Sequence, residues 1–289
     1  MTYWPKTGSK RRKAFTLVEV LIALMITSVI GGSTVSLLYT YLKNYEQSSE
    51  YTTALQRGQM VLSYLEPVAL SAGLGFPSSP DLYTHVVNGD PLLSSWGSPL
   101  SLADNGRTIR IVYSTVLEAV TADMVDFSPG GTTSVALTGN TDGLNLNYAY
   151  GPSDSKWLSF LSTGTPSLTG SSASPLSLSF LGRDPVTSAR FDPLLLVRTM
   201  EAYVQNDEFC VKDNNGAAQP VVKGVLKIYF EELEGNVLKV SVLTRGDARE
   251  GLSSPQEAIP WPDGGNPITA DDYRYKLVLS SAVWRVRNL

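Results

Sequence analysis

The sequence predicts an α+β protein in which one long N-terminal helix packs on an antiparallel, β-rich head domain. Three observations carry this. An apolar, charge-poor stretch begins near residue 15, helical spacing of apolar residues continues well beyond it, and short alternating segments separated by Gly-, Pro- and Asn-rich turns run from residue 107 to the C-terminus.

From Ala23 through Leu42 the chain holds no Asp, Glu, Lys, Arg or His, and with Glu19 set aside the apolar run starts at Phe15. A helix over Phe15 to Leu42 reaches ~40 Å, more than the ~30 Å hydrocarbon core of a bilayer. Before it stand Lys6, Lys10, Arg11, Arg12 and Lys13 with no acid, so the positive-inside rule keeps this leader cytoplasmic and sends everything after Leu42 outward. An ordinary secretory signal has its small cleavage-site residue after the apolar core. Here Ala14 lies before it, so a cut removes the basic leader and keeps the helix. Glu19 is an acid inside this span, a cost of roughly 2.5–3.5 kcal/mol at a helix centre and less near an end, and it calls for a partner. Cleavage between Ala14 and Phe15 would create one: the new α-amino group of a neighbouring subunit. The helix macrodipole also favours a carboxylate near this end.

Beyond the span, Leu38, Leu42, Tyr45, Thr52, Leu55, Leu62, Leu65 and Ala69 keep helical spacing, while Lys43, Glu46, Gln47, Glu50, Gln56, Arg57 and Gln59 supply a polar side. Pro67 is expected to kink or break this outer half, and Gly73, Gly75 and Pro77 to end it. The Gly31–Gly32 pair in mid-span lowers helix propensity and allows unwinding or close helix approach. From residue 76 to about 106 the Pro-, Gly- and Ser-rich chain predicts a long connection with little periodicity. Strands are expected over 107–116, 133–137, 144–150, 156–161, 176–182 and 194–204, followed by a hairpin over 221–245 turning at Glu234, Gly235 and Asn236, and a final strand pair or bent strand over 273–289. The short spacings suggest a meandering antiparallel sheet. The organisation is thus a leader over 1–14, a membrane helix over 15–42, the outer half of the helix over 43–76, and a head over 77–289.

Removing the five leader cations takes the formal net charge from −4 to −9, so the exported part is acidic; no nucleic acid is expected as a partner. Cys210 is the only cysteine, which rules out an intrachain disulfide and reads as a small buried hydrophobe. His85 is the only histidine and reads as a structural or surface residue. With no Cys/His pair, no Gly-x-Ser-x-Gly and no HExxH, the chain carries no catalytic or zinc constellation and is read as no enzyme, with no cofactor and no metal. The acid-bearing loops over 213–216 and 262–272 lack EF-hand spacing and read as turns, with calcium a side reading. Trp96, Trp157 and Trp261, in or near loops, read as core or loop-packing groups, with an adhesive surface a side reading.

The segment KAFTLVEVLIAL resembles the class III signal of type IV prepilins and pseudopilins. That resemblance implies cleavage by prepilin peptidase between Ala14 and Phe15, N-methylation of Phe15, and a filament-assembly role for Glu19, the fifth mature residue. It departs at Ala14, where the family usually has Gly. QRGQMVLSYLEPVALSAGLGF, VLKVSVLTRGDARE and LSSAVWRVRNL together resemble PilW-type minor pilins, which are similar to the J-type pseudopilins of type II secretion. The resemblance covers less than half of the chain and none of residues 77–220. It implies a minor pilin stored in the inner membrane and then moved to the pilus and cell surface, which primes assembly near the filament tip with other minor and major pilins. Retaining Glu19 argues against the extreme tip, because the family's glutamate-free member is the one with no subunit above it. The alternatives are a pseudopilin of a type II secretion or DNA-uptake system, and a pilus-borne adhesin.

Overall fold

The structure is a computed structural model describing residues 16–77, 80–87, 91–139, 157–163, 167–169, 176–180, 182–214, 216–249, 259–264, 269, 271–286 and 288. It is α+β, with a long apolar N-terminal helix and antiparallel sheets in a head domain. Helix α1 runs over Leu17–Leu70, and the chain divides into two compact units, Met1–Ser49 and Glu50–Leu289.

In the first unit every residue from Leu17 to Leu42 is exposed, so the apolar cylinder has no cover within its own chain. Most of its serine and threonine hydroxyls bond the helix backbone: Thr27 Oγ1 donates to the Ala23 carbonyl at 2.7 Å and Thr34 Oγ1 to that of Ile30 at 2.8 Å. Ser28 and Ser33 donate in the same way to Met25 and Ile30. Polar atoms satisfied locally make no demand on the surroundings, the condition for a helix in lipid. The helix passes through Gly31 and Gly32 without unwinding, and a Cβ at either would meet open space.

In the second unit α1 buries Ala54, Gly58, Val61, Leu65 and Ala69, a stripe at spacings of three and four. Its small members allow close contact. A Cβ on Gly58 would collide with the Ser280 side chain, and the Ala54 carbonyl accepts Thr244 Oγ1 at 2.6 Å. Glycine therefore stands inside a helix, at about 1 kcal/mol in propensity, because backbone must lie against strand. The break expected at Pro67 does not occur: the helix continues to Leu70, held by Leu65 and Ala69 packed on either side of the proline. Gly73 and Gly75, at φ +74° and +79°, then turn the chain.

The loop expected over 76–106 is a correction. It holds helix α2 (Pro80–Val86), helix α3 (Pro91–Trp96) and strand β1 (Leu100–Ala103). Both helices open on proline, whose missing N–H costs nothing at a first helical position, and both are shorter than two turns, so no period was visible. Tyr83 Oη donates to the Leu93 carbonyl at 3.1 Å, and Phe76, Tyr83, Val87 and Leu93 pack with Val112, Trp157 and Val197.

The remaining strands are β2 (Thr108–Thr121), β3 (Val125–Phe127), β4 (Thr132–Val135), β5 (Leu137–Gly139), β6 (Trp157–Phe160), β7 (Ser167–Thr169), β8 (Leu176–Phe180) and β9 (Val186–Ser188). Then come β10 (Pro193–Gln205), β11 (Glu208–Asp213), β12 (Gln219–Lys223), β13 (Val225–Leu233), β14 (Val237–Arg249) and β15 (Tyr275–Arg285). They form sheets of ten, three and two strands, all antiparallel among the described residues, in place of a single meander. The large sheet centres on β2 and β10, which pair across a long sequence separation. The other edge of β10 is shared, with Leu194–Leu196 on β6 and Met200–Gln205 on β11. The strand expected over 144–150 lies outside the described residues, and 133–137 divides between β4 and β5.

The hairpin expected over 221–245 is also corrected. At Gly224 (φ +73°) the chain leaves one sheet for another: β12 pairs β11 in the large sheet, whereas β13 and β14 form the true hairpin of the three-stranded sheet. The Asp207 carbonyl accepts both the Gly224 and Val225 N–H groups and fixes this crossing. The expected turn at Glu234–Asn236 holds, and β15 is one continuous strand against β14. Both sheets then close on the helix in one core, where Val61, Leu65 and Ala69 meet Ile109, Ile111, Met200, Phe209, Phe230, Val240 and Trp284.

Candidate functional site

The site begins where the helix begins. Thr16 precedes α1 as its N-cap, and Glu19 sits three residues later in the first turn. The Thr16 N–H and Oγ1 donate to Glu19 Oε2 at 2.9 and 3.0 Å, and the Glu19 N–H donates back to Thr16 Oγ1 at 3.3 Å. This reciprocal arrangement is a capping box, which satisfies two of the four N–H groups that a helix start leaves orphaned. Glu19 therefore has a local partner before any second chain is considered. The signal for the box in the sequence is Thr-x-x-Glu ahead of an apolar run, which the charge pattern alone does not reveal. Ala14 and Phe15, the residues expected to flank the cut, lie outside the described residues.

Residues 9–35 match the prokaryotic N-terminal methylation motif. The N-terminus is thus type IV prepilin-like. A motif of this kind belongs to pilin- and pseudopilin-like proteins processed by prepilin peptidase, and the exposed apolar helical segment that begins within it is long enough to anchor the chain in a membrane. No curated protein and no solved structure matches the chain.

The other candidates of the sequence fall apart in space. His85 is exposed in the last turn of α2, and Cys210 is buried in β11, where burial pushes its thiol up and the Glu208 charge adds to this. Trp157 and Trp261 are buried, the latter edge-on to Tyr229, which takes both out of any adhesive surface; Trp96 is half-buried. In the 213–216 loop, Asn214 Oδ1 is taken by the Thr199 N–H at 3.0 Å. In the 262–272 loop, Asp272 Oδ2 accepts from Thr269 and Oδ1 lies 3.5 Å from Arg245. Among the described residues no three His, Cys, Asp or Glu side chains converge.

Tyr113, in β2, illustrates how the head treats ionisable groups. Burial pushes its phenol above the ordinary value, the Asp213 charge adds to this, and Arg198 opposes it. A raised pKa favours the neutral form in the fold, so the associated stability is intact below the ordinary tyrosine value of 10.0 and is lost as pH rises through the raised one. Thermal melts from about pH 9 to 11 should show wild type losing stability more steeply than Tyr113→Phe. Parallel pH profiles would refute this.

Proposed function

We propose that the chain is a minor type IV pilin of PilW type. Prepilin peptidase removes residues 1–14, cutting between Ala14 and Phe15, and Phe15 is N-methylated. The mature subunit waits in the inner membrane on the helix over 15–42, with the outer half of the helix over 43–76 and the head over 77–289 outside the cytoplasm. On assembly with other minor and major pilins, the Glu19 carboxylate engages the Phe15 ammonium of a neighbour, the apolar helices form the filament core, and the subunit helps to prime growth near the tip.

The observation that carries the reading is the match of residues 9–35 to the methylation motif, overlapping an apolar helical segment that is exposed from Leu17 to Leu42. An exposed face of this size needs lipid or other helices to cover it. Both come in turn to a subunit that is stored in a membrane and then packed in a filament. Mass spectrometry of the protein extracted from cells with active prepilin peptidase is expected to find a chain starting at a methylated Phe15. A chain with Met1 intact overturns the processing claim.

A further inference from the structure

Between α3 and the face of the large sheet formed by β2, β10 and β11 lies a cleft of about 420 Å³, a size suited to small-molecule ligands. Arg110 and Lys212 are both cross-strand partners of Glu201, and Thr199 pairs with Val112, so these side chains rise from one face of the sheet. Glu201 Oε1 accepts Arg110 Nε at 3.0 Å and its Oε2 accepts Lys212 Nζ at 3.2 Å. The carboxylate is the more buried member, with 18% of its side chain exposed against 36% and 38% for the two cations. It therefore holds both cations while taking one donor from each, of the five N–H groups that a guanidinium carries and the three of an ammonium. Thr199, which also lines the cleft, is 1% exposed, and its hydroxyl has no hydrogen-bond partner among the described residues. An unpaired buried hydroxyl costs about 1–3 kcal/mol, so this one marks a place for a polar ligand atom. Trp96 and Leu92 provide the apolar wall.

The chemistry narrows the ligand. Two cations against one carboxylate leave the lining positive, which selects an anion. The carboxylate in their midst repels a multiply charged phosphate but accepts ligand hydroxyls, as the Thr199 oxygen does. An indole wall suits the C–H face of a sugar ring, with its apolar body against the ring and its edge toward water. We propose that this cleft binds a uronic acid residue of an acidic polysaccharide, with its carboxylate on Arg110 and Lys212, its ring against Trp96 and a hydroxyl on Thr199. The site uses the head alone and stands whether or not the chain enters a filament.

The test is a titration of the full chain in detergent micelles with tetragalacturonate, read by tryptophan fluorescence and calorimetry. Saturable binding is expected, weakened at least about tenfold by Arg110→Gln or Trp96→Ala and several-fold by Thr199→Val, with no binding of the neutral galactose tetramer. Melting curves establish that each variant is folded; if Arg110→Gln is not, Trp96→Ala at a half-exposed position decides. Absence of saturable binding, equal binding of the neutral tetramer, or full-strength binding by the folded variants overturns the proposal. So does tighter binding of inorganic phosphate, which would make the cleft a phosphate site.

Discussion

Replacing Glu19 by valine is expected to leave membrane insertion and leader cleavage intact while removing the protein from sheared filaments. Insertion becomes easier without the acid, because a charge in a membrane helix is costly wherever it sits. Assembly becomes harder. On the proposed reading the Phe15 ammonium enters an apolar helix bundle opposite residue 19, and a buried charge stripped of its partner costs about 3–5 kcal/mol, equivalent to a loss of incorporation of ~100-fold or more. The capping box supplies a control. Valine removes the Thr16–Glu19 hydrogen bonds as well as the charge, and a lost cap alone costs about 1 kcal/mol. Glu19→Gln keeps a side chain able to close the box and deletes only the charge. Immunoblots of the sheared fraction should find both variants absent. Normal incorporation of the glutamine variant would sink the pairing argument and leave Glu19 as a helix cap.

Phe209→Ala in β11 is expected to destabilise the head by about 3–5 kcal/mol, the usual range for a fully buried phenylalanine. The ring is 0% exposed, lies in the core shared by α1 and the ten- and three-stranded sheets, and meets Tyr64 of α1 edge-on at 6.2 Å and 75°. Its loss removes apolar burial and an aromatic pair at once. For a unit of this size each kcal/mol shifts the midpoint by roughly 2–4 °C, so the full chain in micelles should melt about 10 °C lower. A shift within about 2 °C would mean that helix and sheet are not held together through this ring.

Local chemistry made the leader and the long helix legible. The basic leader, the apolar run and the helical spacing of apolar residues beyond it are properties of adjacent or nearly adjacent residues, and the helix follows from them. The buried face was less legible: of the eight apolar positions expected from Leu38 to Ala69 only Leu65 and Ala69 lie in the buried stripe, which the small residues Ala54 and Gly58 and Val61 complete. The turn at Glu234–Asn236 was readable for the same reason. What escaped was non-local or too short. Residues 80–86 and 91–96 make helices of under two turns, which show no period. Gly224 looked like an interior residue of one hairpin because nothing nearby announces that Asp207 will capture its N–H and send the strands on either side to different sheets.

The candidate sites divide along the same line. Glu19, its distance from Phe15 and the Thr-x-x-Glu box are written in five consecutive positions, so the assembly and processing hypotheses needed no coordinates. Arg110, Glu201 and Lys212 are scattered over a hundred residues, and neither charge pattern nor motif connects them. Only antiparallel pairing of β2 with β10 and of β10 with β11 sets them side by side, with α3 and Trp96 above. By itself, then, the sequence determined a long helix whose apolar first half carries an acid in its first turn, because helix formation and membrane partition depend on short-range composition. The tertiary structure decided which strands meet, where the helix needs glycine rather than a side chain, and that a cationic cleft exists at all, because those outcomes depend on contacts between residues far apart in the chain.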